Sequence, residues 1–210
     1  MSWNTLGLFL VTFFFISATP GPNMLLAMSL GLRFGVGRAA WGGIGMVSGL
    51  VVLASLSVLG LGALLAASEP AFLTLKWAGV AYLTWLGWQT WRAPAAPVTP
   101  GDAPPVSGEG SAGRLFVRGL LVTFSNPKAL VFMAALFPQF IEPAQPLLPQ
   151  FVTLVALMAA IEFGWILTYA AGGHTLAARL SSTTAVRSLN RLSGGLMIGA
   201  GGLLALAKRI

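Results

Sequence analysis

Six apolar runs, each close to the length of a membrane-crossing helix, constrain this chain more than any other feature. They cover about Leu6–Met28, Trp41–Ala67, Phe72–Trp91, Phe116–Ile141, Phe151–Gly173 and Leu192–Ala207. A bilayer core is ~30 Å thick and takes ~20 apolar residues of helix. Lipid offers no partner to backbone N–H and C=O groups, so runs of this length predict helices. A membrane β-barrel would need short alternating segments, and these runs are too long and too uniformly apolar. Six spans use nearly all of the 210 residues and leave no room for a separate soluble domain. Only 8% of the residues are charged, against roughly 25% in a soluble domain. The expected fold is therefore all-α and polytopic.

The first run ends in Thr19-Pro20-Gly21-Pro22 instead of a small-residue cleavage site, and no Lys or Arg precedes it. It reads as a retained helix and not a signal peptide. The chain has no cysteine, which excludes thiol redox chemistry and cysteine metal sites. No Ser/His/Asp set, metal cluster or phosphate loop is visible, so neither enzymatic activity nor a cofactor or metal is expected. A net charge of +7 could suggest nucleic acid, but the basic residues sit in short loops between apolar runs. Topology explains them better, and no nucleic-acid partner is expected.

The loops set the orientation. Arg33, Arg38, Arg92, Arg114, Arg118, Arg179, Arg187 and Arg191 fall on one side of the six-span arrangement. Lys76, Lys208 and Arg209 fall on the other, with Glu69 and Glu142. The Arg-rich side is expected in the cytoplasm, with both termini outside a bacterial plasma membrane. His174, at a helix end among loop residues, reads as a surface residue.

The stretch 93–113 is rich in Pro, Gly, Ala and Ser and reads as a flexible cytoplasmic linker. It divides the chain into residues 1–92 and 114–210, each with three spans. An odd number of spans per half makes the second half enter from the opposite side, as in an inverted repeat. The first span of each half is interrupted by proline, at Pro20 and at Pro127.

Three places could carry chemistry. Thr19-Pro20-Gly21-Pro22-Asn23 holds two prolines that lack N–H groups and should unwind the helix. Counting back from Arg33 puts this break roughly 16 Å from the cytoplasmic surface, near the bilayer midplane. Asn126-Pro127-Lys128 is the second. Lys128 is the one basic residue well inside a span, where a charge costs ~2.5–3.5 kcal/mol on insertion scales. Glu162 is the third, the one acid within a span, and an intramembrane carboxyl is what a proton-coupled carrier needs. Half-helix N-termini with Lys128 would receive a carboxylate, and Glu162 with freed carbonyls an ammonium. Tyr82 is a further candidate for lining a cavity. Gly45, Gly49, Gly195 and Gly199 fit close helix packing and leave room for a homodimer.

These motifs resemble the lysine exporter/RhtB family of bacterial amino-acid exporters over nearly the full chain. They are Thr19-Pro20-Gly21-Pro22, the stretch Leu75-Lys76-Trp77-Ala78-Gly79-Val80-Ala81-Tyr82-Leu83-Thr84-Trp85-Leu86-Gly87, Asn126-Pro127-Lys128-Ala129 and Phe137-Pro138-Gln139-Phe140-Ile141. Lys76–Gly87 and Ala134–Ile141 look closest to the homoserine/homoserine-lactone branch. The resemblance implies proton-driven export of small neutral amino acids or derivatives from the cytoplasm. The family often has Asp in span five where this chain has Glu162, and its branch varies after the span-one Pro-Gly, where Pro22-Asn23 stands here. An ion permease or channel of similar architecture is the competing expectation.

Overall fold

The computed structural model describes residues 1–67, 69–94, 110–142, 144–172 and 183–206. Linker residues 95–109, His174, Arg179, Lys208 and Arg209 lie outside the described residues. Among those described, every regular element is helical. In chain order they are α1 (Trp3–Ala18), α2 (Pro22–Phe34), α3 (Val36–Ala67), α4 (Glu69–Arg92), α5 (Ala112–Phe124), α6 (Pro127–Val131), α7 (Leu147–Ala171) and α8 (Thr183–Leu206).

Among the described residues, two helices are long and apolar enough to cross a bilayer alone: α3 over Val36–Gly60, and α7. Two more spans result if each bent pair counts as one: α1 with α2, bent by 56°, and α5 with Pro127–Phe140, bent by 61°. The remaining runs became α4 and α8. Glu69, Lys76 and Arg92 in the one, and Arg187, Asn190 and Arg191 in the other, dilute their apolar character. These two helices pack on each other through glycine. A Cβ added at Gly87 would lie 2.7 Å from the Gly194 carbonyl, and one at Gly194 would lie 2.5 Å from the Gly87 carbonyl.

Proline shapes the stretch after α6. The backbone widens into a π turn over Phe132–Leu136, then tightens into a 3-10 turn over Phe137–Phe140. Pro138 cannot donate to the carbonyl four residues back, and the Phe137 N–H reaches Phe132, five residues back. Gln150 in the first turn of α7 ties down the following loop. Its amide donates to the carbonyls of Glu142, Gln145 and Pro146 at 3.1–3.2 Å and accepts the Glu142 N–H at 2.9 Å.

The core is split. One apolar cluster holds Phe9, Phe13, Leu50, Phe132, Phe137, Phe140, Leu154 and Met158. A second holds Met24, Leu26, Met28, Leu30, Met46, Leu115, Ile166 and Tyr169. In sequence, the buried polar residues Ser17, Thr19, Asn23, Asn126 and Glu162 fall between the stretches that supply the two clusters. On α7 the buried stripe reads Gln150, Leu154, Met158, Glu162, Ile166, Tyr169, so Glu162 interrupts the apolar stretch of that face from Leu154 to Ile166.

Candidate functional site

The two proline breaks meet. At the first, Pro20 and Pro22 have no N–H to give the carbonyls four residues earlier, those of Ile16 and Ala18. Other helices supply the missing donors. The Lys128 ammonium on α6 donates to the Ile16 and Thr19 carbonyls, each at 3.0 Å. The Tyr169 hydroxyl on α7 donates to the Ala18 carbonyl at 2.8 Å. The Phe15 carbonyl accepts from Thr19 Oγ1 at 2.9 Å and from Ser193 Oγ on α8 at 3.1 Å, and those two hydroxyls touch. Unwound backbone survives at membrane depth only when buried in protein or facing water. Here three helices satisfy it.

At the second break, Asn126 caps α6 and accepts the Lys128 backbone N–H at 3.1 Å. Its side-chain amide donates to Asn23 Oδ1 at 3.1 Å, and Asn23 Nδ2 donates to Glu162 Oε1 at 3.3 Å. Ser17 Oγ hydrogen-bonds the other carboxyl oxygen, Oε2. Asn126 is 1% exposed and Glu162 is 5%, so solvent does not compete with these bonds. An ion pair between Lys128 and Glu162, one way to offset both charges, is not what holds them. The ammonium is held by carbonyls, and the two asparagines link the α6 cap to the carboxyl.

Two spaces adjoin this cluster. A vestibule of about 780 Å³ is lined by Thr19, Pro20, Gly21, Pro22, Asn126, Pro127 and Lys128, and by Trp88, Gln89, Arg92 and Asn190. That size suits a small-molecule site. A cavity of about 20 Å³ lies between Ser17, Asn23, Asn126, Lys128 and Glu162. It has room for one water and not for an organic solute. Lys128 and Asn126 line both spaces, whereas Glu162 lines the small one. The sequence suggested one site with Lys128 and Glu162 at opposite ends of a cargo. In the structure Glu162 adjoins the one-water cavity, and Lys128 is shared between that cavity and the vestibule.

Tyr82 lies on α4 beside Trp85, ring centroids 5.4 Å apart, and lines neither space. Trp88 is half exposed, with the Arg92 guanidinium 4.4 Å over its ring at the vestibule wall. Sequence reasoning did not single out Ser17, Tyr169 or Ser193. Tyr169 shares the buried stripe of Glu162 on α7, a pattern that shows only once the packing is known.

At the other end of α1, Glu142 accepts the Ser2 N–H at 2.7 Å and the Thr5 hydroxyl at 3.0 Å. The Met1 ammonium lies 3.5 Å away. The Ser2 N–H first, then the Thr5 hydroxyl, holds this carboxyl below its ordinary pKa. A carboxyl lowered by folding stabilises the fold above its unfolded pKa of roughly 4.3 and loses that contribution as pH falls through the folded value. Glu142→Gln is therefore expected to flatten the acid limb of the melting temperature against pH. An unchanged acid limb would mean that the contact contributes nothing.

Comparison with known proteins adds to the geometry. The LysE type translocator family matches residues 14–208. A homoserine/homoserine lactone efflux protein of Salmonella typhi is 38% identical over 200 residues, 95% of each chain. An uncharacterized membrane protein of Vibrio cholerae serotype O1 is also 38% identical, over 95% of this chain and 96% of its own. A leucine efflux protein of Enterobacter sp. (strain 638) is 29% identical over 64% of this chain and 62% of its own. No solved structure matches. With a family match over nearly its whole length and full-length relatives at this identity, the chain belongs to the LysE type translocator family of membrane proteins.

Proposed function

We propose that the chain exports small neutral amino acids or close derivatives from the cytoplasm, in exchange for protons. One observation carries this reading: a solute-sized vestibule ends on Lys128 and two helix breaks, with a buried carboxyl at the small cavity beside them. The Lys128 ammonium offers a counter-charge for a carboxylate. The first turn of α2, which no side chain caps, opens beside it and adds partial positive charge. Polar Gln89, Asn190 and Asn126 suit a short polar side chain. Glu162 is a proton site and not an ammonium receiver in this conformation. Relatives named for efflux of homoserine, homoserine lactone and leucine support the substrate class.

The proposed topology is six spans in two inverted three-helix repeats, residues 1–92 and 114–210, in a bacterial plasma membrane. The broken first span of each half, and the α4–α8 pairing of the two last spans, support it. On the positive-inside rule the Arg92 end of the vestibule faces the cytoplasm, which makes this conformation inward-facing.

The test is efflux from proteoliposomes loaded with labelled homoserine, threonine, leucine or lysine, with and without a pH gradient. Efflux of the small neutral solutes is expected to accelerate when the trans side is acidified. Glu162→Gln should lose that response by at least about tenfold while remaining folded. Conduction of ions without competition by any amino acid would replace this reading with an ion permease. A full response in Glu162→Gln would remove Glu162 from the mechanism.

A further inference from the structure

The hydrogen bonds around Glu162 have a direction, and one backbone group fixes it. A backbone N–H can only donate, so the Asn126 atom that meets the Lys128 N–H must be the side-chain oxygen. The other end of that amide is then NH₂, and it donates to Asn23. The Asn23 atom receiving it must be oxygen, so the remaining Asn23 atom is NH₂ and donates to Glu162 Oε1. Asn and Gln orientations are ordinarily ambiguous. Here the anchoring N–H resolves two of them in sequence.

Oε1 is thus committed as an acceptor. A proton on Glu162 belongs on Oε2, and Oε2 faces Ser17. Ser17 can serve both states because a hydroxyl donates and accepts. With Glu162 ionised, the Ser17 O–H donates to Oε2. With Glu162 protonated, the Oε2–H donates to Ser17 Oγ, and the Ser17 hydrogen turns away. Its alternatives are the carbonyl one turn earlier on α1, or a water in the adjoining cavity. The proton comes from water and returns to water, and no other bond is made or broken.

Ser17 lies in the last turn of α1, between Ile16, whose carbonyl Lys128 holds, and Ala18, whose carbonyl Tyr169 holds. We propose that Ser17 is the positioning residue that links the protonation of Glu162 to the break after α1, by reversing the direction of the Ser17–Glu162 hydrogen bond. The proposal rests on the proton-coupled exporter reading. The other titratable groups here are Lys128 on α6 and Tyr169 on α7, and each is engaged by a carbonyl of this same break. Around Glu162, α1 contributes Ser17, α2 contributes Asn23 and α3 contributes Leu50, none of which titrates.

Ser17→Ala and Ser17→Thr are tested in proteoliposomes with labelled homoserine, alongside the infrared carboxylic-acid C=O band that Glu162→Gln removes. Ser17→Ala is expected to lose gradient-driven efflux about tenfold and to keep exchange at equal pH within about twofold. Its band should move to higher frequency, because the Oε2–H has lost its acceptor. Ser17→Thr should restore both. Wild-type coupling and an unmoved band in Ser17→Ala would overturn the proposal while leaving the exporter reading intact. A wild type with no response to a pH gradient would instead sink the exporter reading. If Ser17→Ala fails to fold, the wild-type band decides: an unbonded acid frequency overturns the proposal, and a hydrogen-bonded one supports it.

Discussion

Gly119→Val is expected to yield little or no folded protein, whereas Gly164→Ala, also inside a helix, should be tolerated. A Cβ at Gly119 on α5 would stand 2.0 Å from the Gly42 carbonyl oxygen and 3.0 Å from the Met46 nitrogen, both on α3. The reverse contact is as tight, since a Cβ at Gly45 would lie 2.0 Å from the Phe116 carbonyl oxygen. These obstacles are backbone atoms of rigid helices, so no rotamer change relieves them. Even Ala must push α3 and α5 apart by about an ångström, and overpacking of this kind costs roughly 1–3 kcal/mol. Val adds two methyl groups to the same collision. In lipid, burial of apolar surface does not drive helix association, so close packing has to hold the seam. Around Gly164 an added Cβ meets nothing within 4 Å. The measurement is monodispersity and melting temperature of the detergent-solubilised variants. A Gly119→Val that elutes and melts like the wild type would show that the two helices do not approach this closely.

The sequence carried the breaks but not their partners, and the reason is physical. Proline removes a donor wherever it stands, so the orphaned carbonyls near Pro20 and Pro22 can be counted without coordinates. Which side chains satisfy them depends on helices distant in the chain: Lys128, Tyr169 and Ser193 are each more than 100 residues away. Lys128 and Glu162 were visible as charges at depth, and their sequence positions suggested the two ends of one cargo site. What each charge touches was not legible: freed carbonyls of the first break hold the ammonium, and Ser17 and Asn23 hold the carboxyl. The Gly45 and Gly49 spacing pointed to a close helix contact, which α5 provides. Gly199 has the same look but meets nothing within 4 Å. The π and 3-10 turns after α6 were hidden because Phe116–Ile141 reads as one apolar run, although Pro138 was a warning. Tyr169 was masked for a different reason: α7 is apolar on every side, so its buried stripe does not stand out by periodicity.

Lys128→Met should abolish amino-acid efflux, and Tyr169→Phe separates a transport role from mere support of the break. Each replaces a donor to a freed α1 carbonyl with a side chain of similar shape. If holding the break were all that Lys128 does, the two variants would behave alike, each destabilised by roughly 1–3 kcal/mol through an unsatisfied buried carbonyl. Lys128 differs because its ammonium also lines the vestibule beside Asn126 and Gly21, where a carboxylate can reach it. Losing a charge-assisted bond to the cargo at a partly buried site removes about 1.5–3 kcal/mol, or roughly 10- to 150-fold. The break would also lose the two hydrogen bonds that Nζ makes to it. Arginine should not rescue it. A planar guanidinium is not a compact point donor and does not reproduce the ammonium's bonds to the Ile16 and Thr19 carbonyls from the same position. The expected pattern is a lowered melting temperature in both variants, with efflux lost in Lys128→Met and largely kept in Tyr169→Phe. Equal loss of efflux in the two would reduce Lys128 to a structural support, and the binding end of the vestibule would then have to be sought at Arg92.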